Sequence, residues 1–248
     1  MRSWRRLSGL VTLGLAGGAA AEPFAIREVA YPSLPQAAAD AAGFAPPGWQ
    51  VERRAEGDLD GDGRIDLAFV IRSRDPANIL ANEGLGEPVF DTNPRILAIA
   101  LRGADGPYRL VVQDHALIPR RRYPTQQDPF DETDSALTIE NRTLKLVMPR
   151  FWSAGSWSMG PVGFTFRWQD GAMRLIGYDY DNIQRNSGES TSISVNFLTG
   201  RARIDLGNME SDDEDVRWIR IERRPLLALE EVGDGLAFDP QGLVAGLP

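Results

Sequence analysis

Residues 162–178 read VGFTFRWQDGAMRLIGY, and this stretch carries the clearest structural pattern in the chain. Asp170-Gly171 separates two runs of alternating apolar residues, which is typical of an antiparallel hairpin with a two-residue turn. In the first run Phe164, Phe166 and Trp168 share one face, because side chains repeat every two residues along a strand. The pattern therefore predicts two paired strands with one buried face.

Segments on both sides of this hairpin have the same character. Two more hairpins are predicted, over residues 96–102 with 108–113 and over 192–198 with 202–206. Further strands are expected at 67–72, 144–148 and 218–221, and loops at 78–93, 119–135 and 182–190. We therefore expect a mainly β fold, with antiparallel hairpins in blade-like or sandwich-like sheets.

One or two short helices are expected beside these strands. Residues 33–42 are rich in alanine and are followed by Gly43 and the Pro46-Pro47 pair, which would end a helix. Residues 224–231 predict a second short helix, with Pro225 near its start.

The first residues have the composition of an export signal. A basic start is followed by a mostly apolar stretch over residues 7–18 and by Ala19-Ala20-Ala21, which fits signal-peptidase cleavage before Glu22. The apolar stretch is shorter than the roughly 20 residues that a membrane span needs. An uncleaved anchor is the alternative. We expect a signal peptide at residues 1–21, a single mainly β domain at 22–248, and a periplasmic or secreted protein without membrane insertion.

Composition narrows the partners of the mature chain. The chain has no cysteine, which excludes disulfides, thiol chemistry and a lipoprotein anchor. Removing residues 1–21 removes three arginines and no acids, which changes the formal charge from −8 to −11. Such an acidic protein disfavours nucleic acid and anionic membranes as partners.

The most specific motif is GDLDGDGRIDLAFVI at residues 57–71. Calcium loops need hard oxygen ligands that converge on one point, with glycine where the backbone turns sharply. Unlike an EF-hand, the motif has Phe69 in place of the closing glutamate, and an apolar strand follows in place of a helix. An acidic turn that binds no ion is the alternative. The predicted Ca²⁺ ligands, all within loop 57–66, are the carboxylates of Asp58, Asp60, Asp62 and Asp66 and the carbonyl of Arg64.

This motif resembles the FG-GAP or VCBS-type calcium loop of integrin-alpha propeller blades and of many secreted bacterial proteins. Asp58, Asp60, Asp62 and Asp66 fall on its ligand positions. Integrin-type propellers repeat the loop, whereas this chain carries one copy. The wider chain is similar to a family of secreted or lipid-anchored bacterial proteins in the segments FTFRWQDGAMRLIGYD and ISVNFLTG, and that resemblance implies no activity.

Residues 151–160, FWSAGSWSMG, form a second candidate binding segment. Trp152 and Trp157 can stack on a sugar or grip a peptide, because tryptophan offers a large rigid surface with one polar group. They can equally fold onto the core. Ser156 stands where a nucleophile elbow requires glycine, and the one histidine, His115, lies upstream of the serines in this segment, so a hydrolase triad is not expected.

Other polar clusters give weaker indications. The acidic run at residues 210–215 is expected to be a solvated loop or a loose cation site, and Arg120-Arg121-Arg122 to be solvated or paired with acids. Asp179, Asp181 and Asn182, beside Tyr178 and Tyr180, can line a polar pocket. Carboxylate pairs at suitable separations act as general acid and base in glycosidases.

Two function classes follow from these observations. The first is an exported, calcium-stabilised, non-catalytic protein that binds an envelope polymer or protein. The alternative is a carboxylate-dependent hydrolase of cell-wall or carbohydrate material. Two carboxylates that face one deep pocket, away from the calcium loop, would favour the enzyme.

Overall fold

A computed structural model describes residues 25–104, 106–130 and 136–246, which form fourteen strands and four short 3-10 helices. No helix of seven or more residues occurs in these ranges. The sheets are antiparallel and include a curled half-barrel. The prediction of a mainly β, antiparallel fold is therefore confirmed. The expected signal peptide at residues 1–21 lies outside the described residues.

The strands, in chain order, are β1 (Ala37–Ala38), β2 (Trp49–Gly57), β3 (Asp66–Ser73), β4 (Ile79–Ala81), β5 (Val89–Asp91), β6 (Arg95–Arg102), β7 (Tyr108–Asp114), β8 (Leu137–Glu140), β9 (Thr143–Arg150), β10 (Ser158–Gln169), β11 (Ala172–Gln184), β12 (Glu189–Asn196), β13 (Arg201–Asn208) and β14 (Ser211–Arg220). The 3-10 helices are Ala42–Phe44, Pro76–Asn78, Leu229–Glu231 and Pro240–Gly242. The three predicted hairpins correspond to β10–β11, β6–β7 and β12–β13.

Two larger sheets organise these strands. One has five strands in the order β1-β7-β6-β3-β2, and the other has seven in the order β14-β13-β12-β11-β10-β9-β8. In the seven-stranded sheet each strand pairs with its neighbour in sequence, so short turns suffice to connect them. A small β4–β5 pair interrupts the expected loop 78–93.

The main core lies between the two larger sheets. Phe164, Phe166 and Tyr178 from the seven-stranded sheet join Val70 and Ile99 from the five-stranded sheet in one buried cluster. We call the side of the seven-stranded sheet that bears these residues its inner face, and the opposite side its outer face. Burial of this apolar surface is the main stabilising contribution expected for the fold.

The five-stranded sheet is buried on its other side as well, beneath the segment that precedes it. Leu34 and Phe44 pack there with Phe69, and the rings of Phe44 and Phe69 stack with centroids 5.2 Å apart. We call residues 31–45 the N-terminal cover. Burial on both faces explains why β3 is apolar almost throughout, since neither side of the strand faces water.

The helix predicted at residues 33–42 is wrong, because this segment pairs with β7. The side chain of Gln113 accepts a hydrogen bond from the backbone amide of Leu34 and donates one to the carbonyl of Pro32. Ala37–Ala38 then forms an edge strand on β7. Alanine-rich composition favours a helix, but it is a weak preference that tertiary contacts override.

Three other expectations also differ from the structure. Residues 224–231 contain only the 3-10 turn Leu229–Glu231, and the rest of the segment is not helical. The expected loop 182–190 is mostly strand, since β11 continues to Gln184 and β12 starts at Glu189. The acidic run 210–215 begins β14 in place of a loop, and its Asp215 pairs with Arg217. Polar composition concealed the end of β11 and the start of β12, because side chains such as Asn182, Gln184 and Glu189 line a pocket.

A buried group of charged residues connects the five-stranded sheet to the loop before β8. Arg95, only 4% exposed, contacts Glu52 of β2 and Asp128 of that loop through pairs of hydrogen bonds. Arg72 adds ion pairs to Glu52 and to Asp91 of β5. Removing one member of such a group destabilises the fold strongly, because the charge of its partner then stays buried without compensation.

The two larger sheets meet where β2 approaches β8. A Cβ placed on Gly57 would lie 2.5 Å from Cγ2 of Ile139, closer than real side chains come. Glycine is therefore required for this close approach of the two strands.

Candidate metal site and polar surfaces

The predicted calcium loop is the connection of a hairpin. β2 ends at Gly57 and β3 begins at Asp66, and the Cα atoms of these two residues are paired across the ladder. Residues 58–65 therefore span the distance between two adjacent strand ends. The sequence pattern identified β3 but not β2, whose apolar residues do not alternate clearly.

Three of the four predicted carboxylates lie together in this loop. Asp58, Asp60 and Asp66 each offer an oxygen, and these oxygens all lie within 4.8 Å of one another. Asp66 is fully buried, Asp58 is half-buried and Asp60 is exposed. Three carboxylates this close repel one another unless a positive charge lies among them.

Backbone amides hold Asp58 in position. Its carboxylate accepts hydrogen bonds from the amides of Gly61 at 2.6 Å and Gly63 at 3.1 Å. Both glycines have positive φ angles of 86° and 83°, a conformation that residues with a side chain rarely adopt. The sequence Asp-Gly-Asp-Gly thus gives the loop its sharp turn.

Asp66 joins the loop to the fold. Its two oxygens accept hydrogen bonds from the amides of Leu59 and Arg102, each at 2.8 Å. Leu59 is itself buried in the main core. Burial raises the pKa of the Asp66 carboxyl despite these hydrogen bonds, and the nearby charge of Asp60 raises it further.

The Asp62 carboxylate is not part of this cluster of close oxygens. The Asp62 carboxylate forms an ion pair with the Arg64 guanidinium and accepts the amide hydrogen bond of Arg64. The Arg64 side chain also donates to the carbonyl of Arg102. Both residues stay predicted ligands, Asp62 through its carboxylate and Arg64 through its carbonyl.

The donor set fits a hard divalent cation. Carboxylate oxygens on a tight, glycine-containing turn are the ligands that Ca²⁺ prefers, and Mg²⁺ uses similar groups in a stricter geometry. The close oxygens of Asp58, Asp60 and Asp66 provide three such ligands from one short segment. The arrangement is suited to holding an ion, and its chemistry does not by itself specify which one.

Arg185 organises the tryptophan segment. Its guanidinium donates to the carbonyls of Trp152 and Ser156, at 2.8 and 2.6 Å, and lies over the rings of Phe151 and Trp157. Trp157 is 60% exposed, whereas Trp152 is half-buried. The segment thus presents one exposed tryptophan on a loop fixed by an arginine that sequence reasoning did not identify.

The residues expected to share one polar pocket are divided between two surfaces. Because side chains alternate along β11, Tyr180 and Asn182 lie on the inner face, while Asp179 and Asp181 lie on the outer face. Tyr178 is buried in the core, where its hydroxyl donates to the carbonyl of Phe238.

The outer face carries a depression of about 460 Å³ that we call the outer depression. Asp179, Asp181 and Asp205 line it. Asp179 and Asp181 accept hydrogen bonds from Ser194 and Ser192, and Asp205 pairs with Arg203. The carboxylates expected of a hydrolase therefore share one surface, and each already has a protein partner.

His115 and the arginine tract have structural contacts. The imidazole of His115 stacks on Tyr31 with ring centroids 4.1 Å apart. Arg121 is 4% exposed and pairs with Glu87, while Arg120 donates to Asn78 and Thr92. The expectation that the tract is paired thus holds for Arg121.

In the described ranges, none of the helices has the length and apolar character needed to cross a membrane. No family model, curated protein or solved structure matches the chain.

Proposed function

We propose that this chain is an exported, calcium-stabilised, non-catalytic binding protein. The observation that carries the proposal is the convergence of Asp58, Asp60 and Asp66 in the hairpin between β2 and β3. Asp66 also binds the backbone of Leu59 and Arg102, so an ion held here would reinforce the ladder around it. This supports a structural role for Ca²⁺.

The proposed partner is a polymer or protein of the cell envelope. The exposed Trp157, directly before β10, offers a rigid aromatic surface that suits contact with such a partner. The export signal predicted at residues 1–21 supports a location in the periplasm or outside the cell. Nucleic acid is not expected as a partner of a chain with this acidic charge.

The test of the ion is a thermal melt of the mature protein in calcium, magnesium and chelator. The site lacks a bidentate glutamate, so we expect a dissociation constant on the order of 10⁻⁴–10⁻³ M for Ca²⁺. At tenfold excess, binding to the folded state alone stabilises it by about 1.4 kcal/mol. Magnesium should stabilise less, because it requires a smaller octahedral site.

Asp60→Ala should remove most of the calcium effect. Glu83→Ala removes one exposed negative charge outside the loop and should leave the effect intact, which makes it the matched control. Equal melting in calcium, magnesium and chelator, together with no heat of binding by calorimetry, would reject the site.

The hydrolase is the second candidate, and the outer depression favours it. Asp179 and Asp181 are two residues apart on one strand face, so their Cα atoms lie about 6–7 Å apart. That spacing is compatible with the carboxylate separations of glycosidases. Hydrolysis of cell-wall or carbohydrate polymers that is abolished in Asp179→Asn or Asp181→Asn, with folding retained, would replace the non-catalytic proposal.

A further inference from the structure

A polar pocket lies at one end of the inner face, where the core side chains of the seven-stranded sheet stop. Along β11 the inward positions change from the buried Tyr178 to Tyr180, Asn182 and Gln184, and these last three line a cavity of about 540 Å³. We call it the inner pocket. Ser158 and Thr191 enter it from the neighbouring strands, as the Cα partners of Gln184 and Asn182.

Asn182 lines this pocket, and its Oδ1 is an unused polar atom that is closed off from solvent behind the pocket wall. The residue is only 9% exposed, and its side-chain Oδ1 has no hydrogen-bond partner among the described residues. Burying an acceptor without a partner costs about 1–3 kcal/mol, so such atoms normally meet a donor. A ligand hydroxyl supplies one once the amide turns toward the pocket, and it suits either orientation of the amide because it both donates and accepts.

The rest of the lining is polar and mostly neutral. Gln184 donates to the Ser158 hydroxyl over 2.9 Å, which leaves the Ser158 proton available to a ligand. Among the described residues no lysine or arginine lines the pocket, and its one carboxylate, Glu189, accepts a hydrogen bond from Ser187. The Arg150 guanidinium contacts the Tyr180 ring and donates to the carbonyl of Asp181, and it is not part of the lining. The lining therefore favours a neutral ligand over a phosphate or carboxylate.

The pocket also has the size and apolar contacts that a sugar ring requires. Its volume falls in the range of about 300–1,000 Å³ typical of small-molecule sites. Leu206 and Val244 contribute apolar surface, and the Tyr180 ring is held by the Arg150 guanidinium, 4.1 Å from its centroid. A sugar presents hydroxyls around its edge and C–H groups on its faces, so it can use both kinds of lining.

We infer that the inner pocket binds a neutral, polyhydroxylated ligand of mono- or disaccharide size. The Asn182 amide, turned toward the pocket, forms a hydrogen bond with a ligand hydroxyl, and Thr191 and Ser158 complete the polar contacts. This inference rests on the binding function proposed above and specifies the chemistry of the ligand. It is independent of whether the loop between β2 and β3 binds an ion.

The test uses the mature protein and a panel of neutral sugars, comprising glucose, galactose, mannose, N-acetylglucosamine and disaccharides of each. Saturation-transfer NMR identifies the sugars that bind, and calorimetry measures affinity. We expect at least one sugar to bind with a Kd of about 1 mM or lower. Thr191→Val, which keeps the side-chain shape, and Asn182→Ala should each raise that Kd about tenfold.

Ser194→Ala is the matched control, because Ser194 lies on the same strand as Thr191 but lines the outer depression. Its Kd should equal that of the wild type. If no sugar binds, the pocket holds only water and the inference fails. If Ser194→Ala weakens binding and Thr191→Val does not, the sugar binds on the outer face and the inference again fails.

Melts of the same proteins in calcium and chelator separate this inference from the proposed function. Calcium stabilisation without sugar binding overturns the inference alone. If Asn182→Ala does not fold, Thr191→Val still provides the test, because its loss is one hydroxyl.

Discussion

Arg95 donates hydrogen bonds to both carboxylate oxygens of Glu52, over 2.6 and 2.8 Å. Glu52 lies in the bulge of β2 between Val51 and Arg53, and Arg95 is the first residue of β6. The strand between them, β3, separates the two in the sheet, so this pair spans three strands. Burial opposes the charge on Arg95, but Glu52 and Asp128 outweigh it and raise its pKa.

Glu52→Ala should destabilise the protein by about 3–5 kcal/mol, because it leaves Arg95 buried with half of its partners. The measurement is the free energy of unfolding in urea. Glu222→Ala, which breaks an exposed pair with Arg224, should cost no more than about 1 kcal/mol. Replacing both Glu52 and Arg95 by methionine should recover part of the loss, and an equal loss in the double variant would contradict this account.

Asp128 should make the fold sensitive to acid. Burial, the largest influence, raises its pKa, but the charge and hydrogen bonds of Arg95 outweigh burial and hold the pKa below its usual range. The stabilisation is therefore present above the ordinary carboxyl pKa of about 3.9 and is lost as the pH falls through the lowered value. Asp128→Asn should lose less stability than the wild type over this acidic window, measured as the urea midpoint against pH.

Asp114 provides the control of opposite sign for this pH series. Burial raises its pKa despite hydrogen bonds from the amides of Leu117 and Ala116. Its contribution is present below the ordinary carboxyl pKa and is lost as the pH rises through the raised value. Asp114→Asn should therefore lose more stability on acidification than the wild type. If the urea midpoints of the two variants change with pH in the same way, neither pKa shift affects the stability of the fold.

Gly57→Ala should destabilise the protein by about 1–3 kcal/mol, because the new methyl group would overlap Ile139 where the sheets meet. Ile139→Ala in the same chain should offset part of that cost, which a double-mutant cycle measures. Gly106→Ala meets no atom within 4 Å and should change stability by less than about 0.5 kcal/mol. Additive effects of Gly57→Ala and Ile139→Ala would disprove the clash.

Phe44→Ala should cost about 3–5 kcal/mol, since this ring of the N-terminal cover is fully buried against Phe69. Leu85→Ala, at a residue that is 76% exposed, is the control and should stay within about 0.5 kcal/mol of the wild type. Both values come from urea unfolding. A small effect at Phe44 would mean that the cover does not contribute to the cooperative unit.

Local patterns predicted the hairpins well and the polar strands badly. Residues 162–178 have a period of two and an Asp-Gly turn, which are signals contained in the segment itself. The strand ends around residues 182–190 carry mostly polar side chains, since one face lines the inner pocket. A pattern that relies on apolar alternation cannot identify such a strand.

The candidate sites also differ in whether a local sequence pattern can predict them. Asp58, Asp60 and Asp66 belong to one short segment, so the spacing of their carboxylates was visible in the sequence. Asn182 and Thr191 meet only because β11 and β12 pair, and Arg95 meets Asp128 across 33 positions. Contacts of this kind depend on the register of the sheets, which no local pattern contains.

The position of the N-terminal cover in the chain also bears on the order of folding. A chain that emerges N-terminus first, from the ribosome or across a membrane, presents residues 31–45 before the strands that they cover. When β6 and β7 emerge to complete the five-stranded sheet, the N-terminal cover is already present. It can then pack on the face of that sheet that points away from the main core. The growing chain can therefore bury this apolar surface as it forms, and the sheet does not wait for a later segment to protect it from other nascent chains.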